Sequence, residues 1–159
     1  MNKKIRRGAK KYFFAICLNV LSLFLSQSSS LSYAGNIVAI VNKDNPVSSL
    51  AVKDLENLYK GKKKQWVGGQ EVVLFLPPSK SEAMKTLASK VFKKGSALAV
   101  SKFYLKAVFQ QKFAAPPQSV SGAEDAAETV AGEPGGIALV DSSEITDKSS
   151  IKIIKIDGL

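Results

Sequence analysis

The chain has 159 residues, with 23 Lys and Arg against 13 Asp and Glu, a formal net charge of +10 and no His. That length suits one domain, and 45% apolar with 23% charged residues excludes wholesale disorder and a many-pass membrane protein. The absent His and single Cys remove most metal sites and the Cys–His and Ser–His catalytic pairs.

Much of the positive charge sits at the start. Lys3, Lys4, Arg6, Arg7, Lys10 and Lys11 precede an apolar run from Tyr12 to Leu25, and Ser32-Tyr33-Ala34 puts small residues before a cut ahead of Gly35. This order predicts a secretory signal peptide over residues 1–34. The run is 14 residues long, short of the roughly 20 a membrane span needs. Cys17 follows Ile16 rather than a small residue, so it reads as part of the discarded run and not as a lipid-attachment site. The expected mature domain, residues 35–159, has no Cys and no Arg, and its 17 lysines against 13 acids leave a charge near +4. Without Arg there is no bidentate guanine readout, and export removes the chain from nucleic acid, so a nucleic-acid partner is not expected. Stable membrane insertion after cleavage is not expected either. The fold must rest on its own apolar core, which this length permits.

In chain order, Ile37 to Val41 is a continuous apolar, β-branched run, the pattern of a buried parallel strand. Asn42 to Pro46 breaks it with turn formers. Val52, Leu55, Leu58 and Tyr59 predict an amphipathic helix over Ala51–Lys60 that Gly61 stops. Lys62, Lys63 and Lys64 read as a solvated turn, and Gly68-Gly69 as another, before a second buried strand over Glu71–Leu76. Trp66 reads as a lid on the core edge. Ser79 with Glu82 predicts a capping box opening a helix to Lys94, closed by Gly95. Ser96 caps a third helix over Ala97–Phe113, whose Phe103, Tyr104, Phe109 and Phe113 read as core. Ser121 and Glu124 form a second predicted capping box for a short helix to Ala131, with Glu124, Asp125 and Glu128 as helix-start charges rather than an acid/base pair. Strands follow at Ile137–Val140 and Ile151–Ile156. Alternating strands and helices predict an α/β domain with a small, mostly parallel sheet flanked by helices.

These segments together resemble the small solute-binding proteins of phosphate ABC importers. The likeness lies in Ile37 to Val41, Asn45 to Leu50, Asp54-Leu55, Leu58 to Lys62, Trp66, Phe103-Tyr104, Phe109, Pro116-Pro117 and Glu133 to Val140, in that order over most of residues 37–158. The resemblance implies a type II periplasmic binding-protein fold, here abbreviated because the chain is shorter than full-sized members. That family commonly carries an Arg and a Ser-Gly-Thr-like element after its second strand to grip an oxyanion. Here the segment reads Pro77-Pro78-Ser79-Lys80-Ser81, two hydroxyls and a Lys without Arg.

Two places suit an anion on physical grounds. One is the loop after the first strand, with Asn45, Ser48 and Ser49; the other is Ser79, Lys80 and Ser81 at the next helix start. Helix-start amides carry partial positive charge, hydroxyls add donors, and ligands of open α/β sheets sit beyond the carboxyl ends of strands. No nucleophile elbow, phosphate loop or metal spacing appears, so neither catalysis nor a cofactor is expected. The resulting expectation is a periplasmic binding protein that takes a small oxyanion, phosphate by resemblance, to an inner-membrane ABC permease. The alternative is an accessory module on the same fold with a degenerate pocket.

Overall fold

Strand β1 (Ile37–Asn42) sends alternate side chains to two different cores: Ala39 and Val41 to one, Val38 and Ile40 to the other. Strand β5 (Gly136–Asp141) divides in the same way, Ile137 and Leu139 against Ala138 and Val140. A strand with helices on both faces needs no polar alternation, so these segments read as unbroken apolar runs. The computed structural model describes residues 36–113 and 116–159, within the unit Gly35–Leu159. The signal peptide, its cleavage point and Cys17 lie outside the described residues.

The main sheet has five strands in the order β4 (Gln118–Ser119), β3 (Val73–Leu76), β5, β1, β6 (Ile151–Ile154). Strand β5 runs parallel to β3, and β3 parallel to β4. Strand β1 is antiparallel to both its neighbours, β5 and β6. The α/β class and the flanking helices are as expected, but the sheet is mixed, with its pairings evenly divided, instead of mostly parallel. Apolar runs report burial on two faces and carry no information on direction. The predicted last strand divides at Lys155: its second piece, β7 (Ile156–Asp157), pairs in parallel with β2 (Leu50–Ala51) as a separate ribbon. Strand β4 is two exposed polar residues on the sheet edge and carries no hydrophobic signature.

Helix α1 (Val52–Tyr59), helix α2 (Glu82–Thr86, continued by a π turn over Leu87–Val91) and helix α3 (Ala97–Phe109) bear on the first core. Helix α4 (Ala123–Gly132) covers the other face with Ala123, Ala126, Ala127 and Val130, small side chains that let it lie close to the sheet. Gly61 follows α1 at φ +69°, the left-handed position that glycine adopts cheaply. The second helix closes differently from expectation. Lys93, not Gly95, takes the left-handed conformation at φ 57°, and the Lys94 amide reaches back to the Ala88 carbonyl at 2.7 Å. The third helix ends at Phe109, four residues early, with Gln111 at φ 51°.

Neither predicted capping box forms, and both caps are displaced. The Pro78 carbonyl accepts from the Ser81 amide at 3.0 Å, closing a turn through Ser79 and Lys80. The N-cap is therefore Ser81, whose Oγ accepts from the Met84 amide at 3.1 Å. At α4 the cap is Gly122, and Ser121 instead donates both its amide and its hydroxyl to Asp125, at 2.7 and 2.8 Å. Trp66 is buried, as a lid on the core edge should be, and its Nε1 donates to the Gly135 carbonyl at 2.9 Å.

Candidate functional site

The two predicted anion segments do not meet. Val41 pairs with Ile137 and Ile37 with Asp141, while Phe75 pairs with Ala138. Phe75 thus lies level with Ile40, and β3 runs on toward the amino end of β1. Each segment stands beyond the carboxyl end of its own strand, but those strands run in opposite directions. The two strand ends, Leu76 and Asn42, are three residues apart in register, about 10 Å along the sheet at roughly 3.3 Å per residue, and the loops leave in opposite directions from there. A single site built from all six residues is not formed.

At the β1 end, Asn45 is a buried structural residue. Its Oδ1 accepts from the Val47 amide at 3.0 Å, and its Nδ2 has no partner. The Lys152 ammonium donates to the Asn45 and Val47 carbonyls, which ties the loop to β6. Ser48 and Ser49 are exposed. The start of α1 already has an anion of its own, because the Asp54 carboxylate accepts from the Ala51 amide at 2.9 Å.

At the β3 end, Ser79 and Lys80 are exposed on the turn, and Ser81 lines a shallow pocket of about 40 Å³. That is room for a water or two, so an ion would rest at the mouth. The Ser81 hydroxyl is already engaged: it donates to the Pro78 carbonyl at 2.8 Å while accepting from Met84. Pro77, Pro78, Val120 and Gly122 form much of the wall, and Glu82, Asp141 and Glu144 bring three carboxylates to it. Asp141 accepts from the amide and hydroxyl of Ser143, at 3.0 and 2.8 Å. This acidic wall is not visible in the sequence, because Glu82 and the Asp141–Glu144 turn are two distant segments that only the sheet order joins.

The acids of the second predicted box are held as anions. Glu124 is lowered by hydrogen bonds from the Thr146 hydroxyl and amide, and Asp125 by those from Ser121. These donors favour the ionised form of each carboxylate. Among the described residues no three His, Cys, Asp or Glu gather as metal ligands, and no helix is long and apolar enough to cross a membrane.

A model of the PBP superfamily domain matches residues 29–158. The chain belongs to the PBP superfamily. No curated protein matches it in sequence. Among solved structures, the PBP-superfamily chain is similar to an ABC-type phosphate transport receptor from Vibrio cholerae (18% identity, TM-score 0.57, covering 78% of this chain and 47% of that one). It is similar also to PstS from Borrelia burgdorferi (11%, 0.55, 77% and 47%). A third is a substrate-binding protein assigned to phosphate ABC transport from Clostridium perfringens, crystallised with bound phosphate (21%, 0.50, 78% and 46%). At these identities the likeness is one of fold, and the chain spans about half the length of each structure.

Proposed function

We propose that this PBP-superfamily chain is an exported solute-binding lobe that takes a small, phosphate-like oxyanion and presents it to an inner-membrane ABC permease. The observation that carries this reading is the open Ser79-Lys80-Ser81 turn at the carboxyl end of β3. The phosphate-transport structures that share the fold support the ligand class. In this reading the leader over residues 1–34 is cleaved and residues 35–159 act in the periplasm. Binding is non-covalent, without catalysis or cofactor: Lys80 supplies charge and the Ser79 hydroxyl a donor. The Asn45–Ser49 loop, at the other end of the sheet, is left to a separate contact.

One observation favours the accessory-module alternative. Glu82, Asp141 and Glu144 surround the pocket beside that turn, and the Ser81 hydroxyl is spent on the backbone. Thermal melting in phosphate, sulfate and chloride separates the readings. A specific oxyanion site held at 100 times its Kd adds about 2.7 kcal/mol of stability. A Ser79→Ala/Lys80→Ala variant should then keep its ligand-free melting temperature and lose the phosphate-specific shift. Equal shifts with all three anions would sink the oxyanion reading and leave the accessory module.

A further inference from the structure

Helix α3 has two apolar faces, and only one is covered. Val100, Tyr104 and Ala107 are buried against the core. On the opposite side Leu98, Leu105 and Phe109 are 64%, 63% and 82% exposed. At 3.6 residues per turn these three fall within about 40° of one another, a single stripe along the helix. Phe109, read from sequence as core, is the most exposed of them. Lys102 and Lys106 lie beside the stripe, both exposed. Beyond them is a broad cleft of about 460 Å³ that Lys60, Lys62, Lys64 and Lys112 share with Phe103. Glu56 is the only carboxylate within 4 Å of any of these six lysines among the described residues, touching Lys60 and Lys62.

We propose that the outer stripe of α3 and the adjoining lysine cleft are a docking surface for an anionic phospholipid bilayer. The stripe is a row of exposed apolar side chains on one helix face, which a fluid acyl region admits without any matching groove. The lysines stand where headgroup phosphates would lie when the stripe enters the interface. Short apolar penetration beside a cluster of cations is the pattern of peripheral helices on anionic membranes. Charge argues against a second copy as the occupant, because pairing two such faces sets lysines against lysines. This inference is independent of the oxyanion reading and uses none of its residues.

Flotation with vesicles tests it on the unit from Gly35, which contains both hydrophobic cores and every paired strand among the described residues. The leader, itself basic and apolar, is left out of the experiment. The chain should float with phosphatidylglycerol–phosphatidylcholine vesicles, remain behind with phosphatidylcholine alone, and release as salt rises. Leu105→Ser/Phe109→Ser should bind at least about tenfold more weakly while melting no lower than the parent. Lys102→Glu/Lys106→Glu should lose binding to the anionic vesicles. Soluble glycerophosphate in excess should not displace the bound chain, since it offers no acyl phase. No binding, equal binding to neutral vesicles, unchanged binding by the serine variant, or displacement by glycerophosphate would each overturn the proposal. So would a dimer in sedimentation velocity that the serine variant abolishes.

Discussion

A Cβ added to Gly135 would stand 1.9 Å from the Glu71 carbonyl oxygen, and the Gly135 carbonyl itself accepts from the Trp66 indole. The residue is thus gripped by the β3 entry on one side and Trp66 on the other, which leaves the backbone nowhere to shift. Gly135→Ala should cost about 3 kcal/mol through this overpacking, seen as a lower urea midpoint, with a loss near zero refuting the clasp. Asn42 acts at the same scale. Its buried amide nitrogen donates to the Val130 and Ala131 carbonyls, satisfying the end of α4, while its Oδ1 accepts from the Asp44 amide. Both residues look like ordinary turn formers in the sequence. Their roles come from partners 64 and 88 or more positions away, as Glu71 is to Gly135 and Val130 to Asn42.

At the scale of the elements, the helices were legible from apolar spacing, since Leu55, Leu58 and Tyr59 bury as their period requires. Helix ends were less legible. Two serines precede the second helix, and the Pro78–Ser81 turn gives the cap to the later one. Ser81→Ala should therefore cost about 1 kcal/mol, with Ser79→Ala within about 0.5 kcal/mol of the parent, as measured by chemical unfolding. The reverse order would place the helix start two residues earlier. Strand direction was not legible at all, because hydrogen-bond pairing decides it and both directions bury the same side chains. That one missing fact separates the Asn45–Ser49 loop from the Ser79–Ser81 turn.

Across the whole molecule, two buried phenols tie the helices to the sheet. The Tyr59 hydroxyl donates to the Phe75 carbonyl at 3.3 Å, and that of Tyr104 to the Tyr59 carbonyl at 2.8 Å. Burial pushes both phenols above their ordinary value, with the neighbouring Tyr59 adding to the shift of Tyr104. The neutral phenol is the form the fold prefers, so its stabilisation is fully present below the unfolded value of about 10. It is lost as pH climbs beyond that toward the raised folded values. Urea midpoints should fall above about pH 10, and a Tyr59→Phe/Tyr104→Phe variant should fall less steeply. Equal alkaline slopes would remove the phenols as the cause and leave lysine neutralisation. By itself, the sequence determined the α/β class, the positions of the apolar strands and helices, and the gathering of much of the basic charge in the first residues, because all of these are local patterns of side-chain type. Tertiary structure alone decided the mixed pairing, the acids around the β3 turn and the exposed stripe of α3. Each depends on which segments lie side by side, and hydrophobic periodicity records burial without naming the neighbour.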